Sequence, residues 1–222
     1  MAEKRFYLLL AVLFCLMGYI FLYENSQKAV NASTYTEERK TVAITFDDGP
    51  HYKNTKLLLD GLRERDVKAT FFLVGNRIAG NEDLILQMHK DGHLIGNHTY
   101  SHANLTGIPE SEVLGEVTKT NVIIEGITGE KVQYLRPPCG YWNDSLQKKI
   151  NMKKVLWTVD PKDWQATNVT QVVNAVMLDV EDGDIILLHD IYSSSVVAAL
   201  EIVDRLLDMG YEFVTVDEIL SK

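Results

Sequence analysis

The sequence predicts an α/β fold built on a largely parallel sheet. Seven short apolar runs, rich in β-branched and aromatic residues, alternate with six amphipathic stretches, the order that strands and covering helices take around a parallel sheet. Several conspicuous polar residues, Asp47, His98, Arg136, Asp163 and His189, fall at or just after the ends of runs, and barrel sheets gather reactive groups at the carboxyl ends of their strands. The segment 41–222 is long enough for one substantial core yet short of the roughly 250 residues of an eight-unit barrel, so closing this sheet gives a smaller barrel.

Along the chain, Met1-Ala2-Glu3-Lys4-Arg5 is followed by an uncharged stretch, 6–23, just long enough to cross a bilayer as a helix. Lys4 and Arg5 keep the tail 1–5 in the cytoplasm, which makes 6–23 a transmembrane signal anchor and places the remainder outside the cell. A cleaved signal peptide is the competing reading, since Val30-Asn31-Ala32 offers small residues for cleavage and would release a secreted protein. Residues 24–40 are polar and without apolar periodicity, a tether between membrane and domain. Beyond it the apolar runs 42–46, 69–74, 93–96, 133–135, 154–159, 184–188 and 213–216 read as strands. Helical spacing of Leu, Ile and Val marks 55–65, 83–90, 111–127, 144–150, 169–180 and 194–209. Gly92 and Gly210 close two of these helices.

Composition narrows the function. The formal charge is −9, which argues against nucleic acid or an anionic membrane surface as principal partner and suits a neutral or amino-sugar polymer. Cys15 falls in the membrane stretch and Cys139 in the domain, so the two do not pair, and an exported domain without disulfides depends on its core.

Two short motifs carry chemistry. Thr45-Phe46-Asp47-Asp48-Gly49-Pro50 closes the run 42–46, and a strand ended by Gly-Pro delivers its last polar residues to the rim of a sheet. Adjacent carboxylates repel and resist desolvation, and a nearby cation relieves both costs. His98-Thr99-Tyr100-Ser101-His102 supplies the other half, because residues four apart share a face if the segment is helical and two imidazoles can then grip one ion. Two His and one carboxylate with positions left open make a catalytic ligand set rather than a structural one. A metalloprotease would need Glu where Thr99 stands. A glycosidase using Asp47 and Asp163 would leave the paired histidines without a purpose.

With Arg136-Pro137-Pro138-Cys139-Gly140, Asp160-Pro161-Lys162-Asp163-Trp164 and Leu187-Leu188-His189-Asp190, these motifs make five segments in one order across most of 42–222. In that order the sequence resembles the polysaccharide deacetylases with a NodB-like domain, carbohydrate esterase family 4, which remove N-acetyl or O-acetyl groups from carbohydrates. The resemblance implies an irregular seven-stranded (β/α) barrel. It also implies that Asp48, His98 and His102 hold a metal, with zinc the first choice and cobalt, nickel or iron compatible with the same ligands. Asp47 matches the family's base, taking a proton from the attacking water, and Arg136 lies in the segment that orients it, where a guanidinium can grip a carboxylate through two parallel hydrogen bonds. His189 matches the general acid and Asp163 the carboxylate that favours its imidazolium. Trp164 and Leu187 match positions that form an apolar slot for the acetyl methyl group.

Cys139 departs from the family, which usually carries Tyr there. The family uses the backbone N–H of that residue for the oxyanion, and a backbone donor survives a side-chain change, so Cys139 alters substrate fit without becoming a constant metal ligand. His51, His89 and His93 have no partner pattern, though His51 and His93 flank motifs and help shape the cleft; Thr55, Thr99 and Ser101 read as braces. The Asn-x-Ser/Thr triplets that begin at Asn31, Asn104 and Asn168 decide nothing.

The activity so implied is metal-dependent removal of N-acetyl groups from an extracellular polysaccharide. The anchor points to N-acetylglucosamine or N-acetylmuramic acid residues of peptidoglycan. Chitin-like polymers, poly-N-acetylglucosamine and O-acetyl esters are alternatives, and a non-catalytic carbohydrate-binding or assembly protein is the alternative of another class.

Overall fold

The computed structural model describes residues 16–20 and 39–221. Residues 16–20 are helical and exposed; the rest of the expected anchor, its cleavage alternative at Val30-Asn31-Ala32, Cys15 and most of the tether lie outside the described residues. Among the described residues no helix is long and apolar enough to cross a membrane. The chain divides into two units, Met1–Arg39 and Lys40–Lys222, and the candidate site belongs entirely to the second.

That unit is organised around β1 (Thr41–Asp47), in which all seven residues are buried. A strand covered on both faces reads as a continuous apolar run, which is how Val42-Ala43-Ile44 reads. All its partners are parallel: β6 (Asp184–His189) along one edge, and along the other β2 (Thr70–Leu73) near its carboxyl end and β7 (Glu212–Phe213) near its amino end. The sheet continues outward from β2 through β3 (Leu94–Asn97) and β4 (Tyr134–Leu135) to β5 (Lys153–Lys154). Past β5 the chain turns back to β6, where Val159 forms an isolated parallel bridge with Ile186.

The helices appear where the apolar spacing predicts them, each end within one residue: α1 (Asn54–Glu64), α2 (Glu82–Lys90), α3 (Glu110–Thr128), α4 (Asp144–Lys149), α5 (Val169–Asp179) and α6 (Ser193–Asp208). Gly92 and Gly210 end α2 and α6 in left-handed backbone, at φ of 79° and 82°. The inner helix faces and the sheet share one apolar core, in which Ile44, Phe46, Leu58, Leu62, Phe71 and Ile202 are shielded from solvent.

Three local expectations differ. The run 154–159 is a strand only at Lys153–Lys154; the chain then bends, Leu156 spends its carbonyl on Arg136, and Thr158 and Val159 donate to Ile185. The last run stops at Phe213, because Thr215 and Glu218 form a capping box that opens a further short helix, α7 (Val216–Ile219). Residues 98–102 form a loop in which Thr99 and His102 are left-handed, with φ of 65° and 60°.

Candidate active site

Strand register assembles the site. In the parallel ladder Asp47 lies beside His189, while Asn97 at the end of β3 lies beside Leu135 at the end of β4, so His98 and Arg136 leave the sheet together. The carboxyl ends of β1, β3, β4 and β6 thereby bring Asp47, Asp48, His98, Arg136 and His189 to one rim. There a cavity of about 400 Å³ is lined by Asp47, Asp48, His98, His102, Cys139, Trp157, Asp160, Trp164, Leu187, His189 and Tyr192. A larger cleft of about 640 Å³, at the amino ends of β4 and β5, contains none of the residues singled out by sequence.

Asp48, at a left-handed φ of 71°, turns its carboxylate toward the two histidines. Its Oδ1 stands 3.2 Å from His102 Nε2 and 3.6 Å from His98 Nε2, is buried, and has no hydrogen-bond partner. His98 is buried and its Nδ1 lies 2.7 Å from the carbonyl of Arg136. A carbonyl only accepts, so Nδ1 carries the proton and Nε2 presents its lone pair to the carboxylates. Burial lowers the pKa of His98, outweighing the opposite pull of Asp47 and Asp48, and favours the neutral form that binds metals. One ligand atom each from Asp48, His98 and His102 lies within 4.8 Å of the others. An orphaned buried carboxylate oxygen facing two imidazoles is the donor set that a divalent transition metal takes.

Asp47 is buried beside this trio, with Oδ2 at 3.7 Å from His98 Nε2 and Oδ1 accepting from Arg136 Nη1 at 2.8 Å. The paired grip expected of Arg136 is absent. Its Nη1 also donates to Thr45 Oγ1 at 2.7 Å and its Nη2 to Leu156 O at 3.1 Å, because the guanidinium is wholly buried and must serve several acceptors. Phe72 lies under its flat face, 4.2 Å from Cζ to ring centre.

His189 and Asp163 form the second charged pair. Asp163 is fully buried at a 3₁₀ turn, Asp163–Gln165, that follows Lys162 at a left-handed φ of 53°. Its Oδ1 lies 2.7 Å from His189 Nδ1, and its Oδ2 accepts the His189 backbone N–H at 2.8 Å. Burial alone would lower the pKa of His189, but the hydrogen bond and charge of Asp163, with Asp47 and Asp48 beyond, raise it to about 9.

Trp164, Leu187 and Cys139 all reach the cavity wall, Leu187 buried and Trp164 and Cys139 exposed. Cys139 holds a left-handed φ of 56°. His93 does not shape the cleft: it is buried just before β3, accepts from Ala69 N–H and packs on Phe71. His51 accepts from Asn54 N–H through Nδ1.

The sequence reading assigns no role to Trp157, Asp160 and Tyr192 on the wall, nor to Asp190 beneath the first motif, though Asp160 and Asp190 stand within two of the motifs. Asp190 is completely buried, its Oδ2 accepting a hydrogen bond from Thr55 Oγ1, which in turn accepts from His51 N–H. Burial raises its pKa to about 7 against the opposing Thr55 hydrogen bond. The signal for it in the sequence is a charged residue closing the apolar run 185–188, one place after His189.

A parallel α/β sheet with an Asp-His-His trio, a buried Arg-Asp pair and a His-Asp pair at its carboxyl rim defines a candidate metal site flanked by groups able to accept and donate protons. The polysaccharide deacetylase family model matches residues 34–155, and the chain belongs to that family. It is 41% identical over 186 residues to the peptidoglycan-N-acetylmuramic acid deacetylase PdaC of Bacillus subtilis, an alignment covering 84% of this chain and 40% of PdaC. Against a peptidoglycan-N-acetylglucosamine deacetylase of Bacillus cereus it is 39% identical, covering 82% of this chain and 88% of the relative. The solved structure of PdaC superposes with a TM-score of 0.81 at 41% identity, over 83% of this chain and 91% of that one.

Proposed function

We propose that the protein is a metal-dependent hydrolase that removes N-acetyl groups from an extracellular polysaccharide, with the N-acetylglucosamine or N-acetylmuramic acid residues of peptidoglycan as substrate. The observation that carries this reading is the buried, unpartnered Asp48 Oδ1 facing His98 and His102 within reach of Asp47 and His189. The names of PdaC and its Bacillus cereus counterpart support the substrate class. The sheet, with its order drawn together by the Val159–Ile186 bridge, fits an irregular seven-stranded barrel. The uncharged stretch 6–23 supports a membrane anchor that holds the domain near the cell wall.

Zinc, or cobalt, nickel or iron in its place, would be held by Asp48, His98 and His102 and would supply Lewis-acid polarisation and a lowered pKa for bound water. Asp47 takes a proton from the water that attacks the acetyl carbon, and Arg136 orients this carboxylate through its hydrogen bond. His189, charged and aimed by Asp163, gives its proton to the departing amine. Leu187 and Trp164 flank the acetyl group on an apolar wall, and Cys139 leaves more room in the cavity than a Tyr would.

The test is acetate release by the full-length chain in detergent, on peptidoglycan and on N-acetylglucosamine polymers, before and after chelation and with zinc restored. Release that stops with the chelator and returns with zinc is expected. No release from any polymer by protein that still binds zinc would overturn the enzymatic reading in favour of carbohydrate binding without turnover.

A further inference from the structure

The loop that carries both histidines is held by a residue outside every motif. Left-handed backbone at Thr99 and His102 is unfavourable for residues with side chains, so the bends persist only where surrounding groups enforce them. No helix satisfies the loop's N–H groups. His98 N–H donates to Leu73 O at 2.9 Å, Thr99 N–H to Asn97 Oδ1 at 2.7 Å, and Ala103 N–H to Thr99 Oγ1 at 3.1 Å. The two in the middle, from Tyr100 and Ser101, converge on a single oxygen of Glu116, at 3.0 and 2.8 Å. Glu116 is half-buried on α3, a rigid element of 19 residues. On the other side, the carbonyls of Thr99 and Tyr100 accept from Gly75 and Asn76 N–H, both at 2.9 Å. The loop is thus clamped between the 3₁₀ turn Gly75–Arg77 and a carboxylate.

We propose that Glu116 is a positioning residue for the divalent cation. By fixing the two N–H groups between the left-handed bends, it holds His98 and His102, with ring centroids 5.1 Å apart, turned toward Asp48. Because it acts on the two histidines from outside the donor set, its loss loosens the site without removing a ligand, in the way that groups behind metal ligands generally act. An anionic acceptor suits the task, since hydrogen bonds to a carboxylate are shorter and stronger than those to a neutral oxygen. This inference rests on the metal-site reading above but not on turnover.

The experiment measures zinc affinity by competition with a chromophoric chelator, and the visible spectrum of the cobalt-loaded protein, for the full-length chain and three variants. Glu116→Ala is expected to weaken zinc binding about 10- to 100-fold and to alter the cobalt spectrum. Glu116→Gln, whose amide oxygen still reaches both N–H groups, should restore most of the affinity. Glu116→Asp keeps the charge but withdraws the oxygen; it should weaken binding as Ala does, and decides the matter if the Ala variant does not fold. Affinity within twofold of the parent in Glu116→Asp or a folded Glu116→Ala, with only the melting temperature lowered, would overturn the inference. Absence of zinc binding by the parent would overturn the metal-site reading with it.

Discussion

Replacing Asp163 with Asn tests the acid half of the site. Asp163 is fully buried and meets His189 through both oxygens, whereas the His189 side chain is 14% exposed, so little water screens the pair. With the carboxylate present the imidazolium persists to about pH 9; without its charge, burial acts with less opposition and carries the pKa to the ordinary 6.5 or below. A fall of more than two pKa units at about 1.4 kcal/mol each is a loss of about 3 kcal/mol in preference for the charged ring. At pH 8 the protonated fraction then falls, and kcat/KM should drop by about an order of magnitude or more. A cation at Asp48 offsets the contributions of Asp47 and Asp48 in both proteins alike, so the displacement between their alkaline limbs carries the test. Stability follows the same sign. The folded-state pKa of His189 is raised, so the pair's stabilisation is complete below pH 6.5 and is lost as pH rises toward 9; the melting temperatures of the metal-free parent and Asp163→Asn should converge across that window. The assay is acetate release from pH 5 to 10, with thermal melts over the same range. Superimposable alkaline limbs would refute the assignment of His189 as the acid held by Asp163.

Asp47→Asn should keep zinc affinity while kcat falls about 10²- to 10⁴-fold, and it should melt lower because Arg136 loses its buried partner. His98→Ala should lose zinc and turnover together, and calorimetric zinc titration of both variants separates the roles; equal loss of metal would undo the division between base and ligand. Cys139→Ser should leave zinc affinity unchanged, since Cys139 lines the cavity but stands outside the Asp48-His98-His102 group, and a large loss measured by the same titration would make the thiol a ligand.

Much of this fold could be read from local pattern, for a definite reason. Residues in β1 face apolar layers on both sides, so no charged or strongly polar side chain interrupts the stretch from Val42 to Phe46, and the six helices α1 to α6 carry apolar residues at helical spacing between recognisable ends. Residues 154–159 have the same apolar character but are bent by distant partners, Arg136 and Ile185, that local pattern does not register. The loop 98–102 is a sharper case. Spacing of four between histidines is compatible with a helix, yet Asn97 and Glu116 take the N–H groups a helix would use and bring the same two rings together by another backbone path. Every candidate site residue lies within the cavity wall or one hydrogen bond of it, since motif order follows strand order at the sheet rim. The roles of Glu116, Asp190 and Tyr192 are not legible in the sequence because they are set by what these residues touch in three dimensions.

Gly49 packs directly on the buried carboxyl of Asp190: a Cβ there would sit 2.5 Å from Asp190 Oδ1. Gly49 follows Asp48 of the candidate metal site and Asp190 follows His189, so this contact ties together the two halves of the proposed chemistry. Neither position can drift alone. A side chain at 49 requires a smaller residue at 190, which would also release Thr55 and the loop above it. For protein engineering, retuning this cleft therefore means varying 49, 55 and 190 as one library; single-site scans would record each as intolerant and miss the combinations that fit.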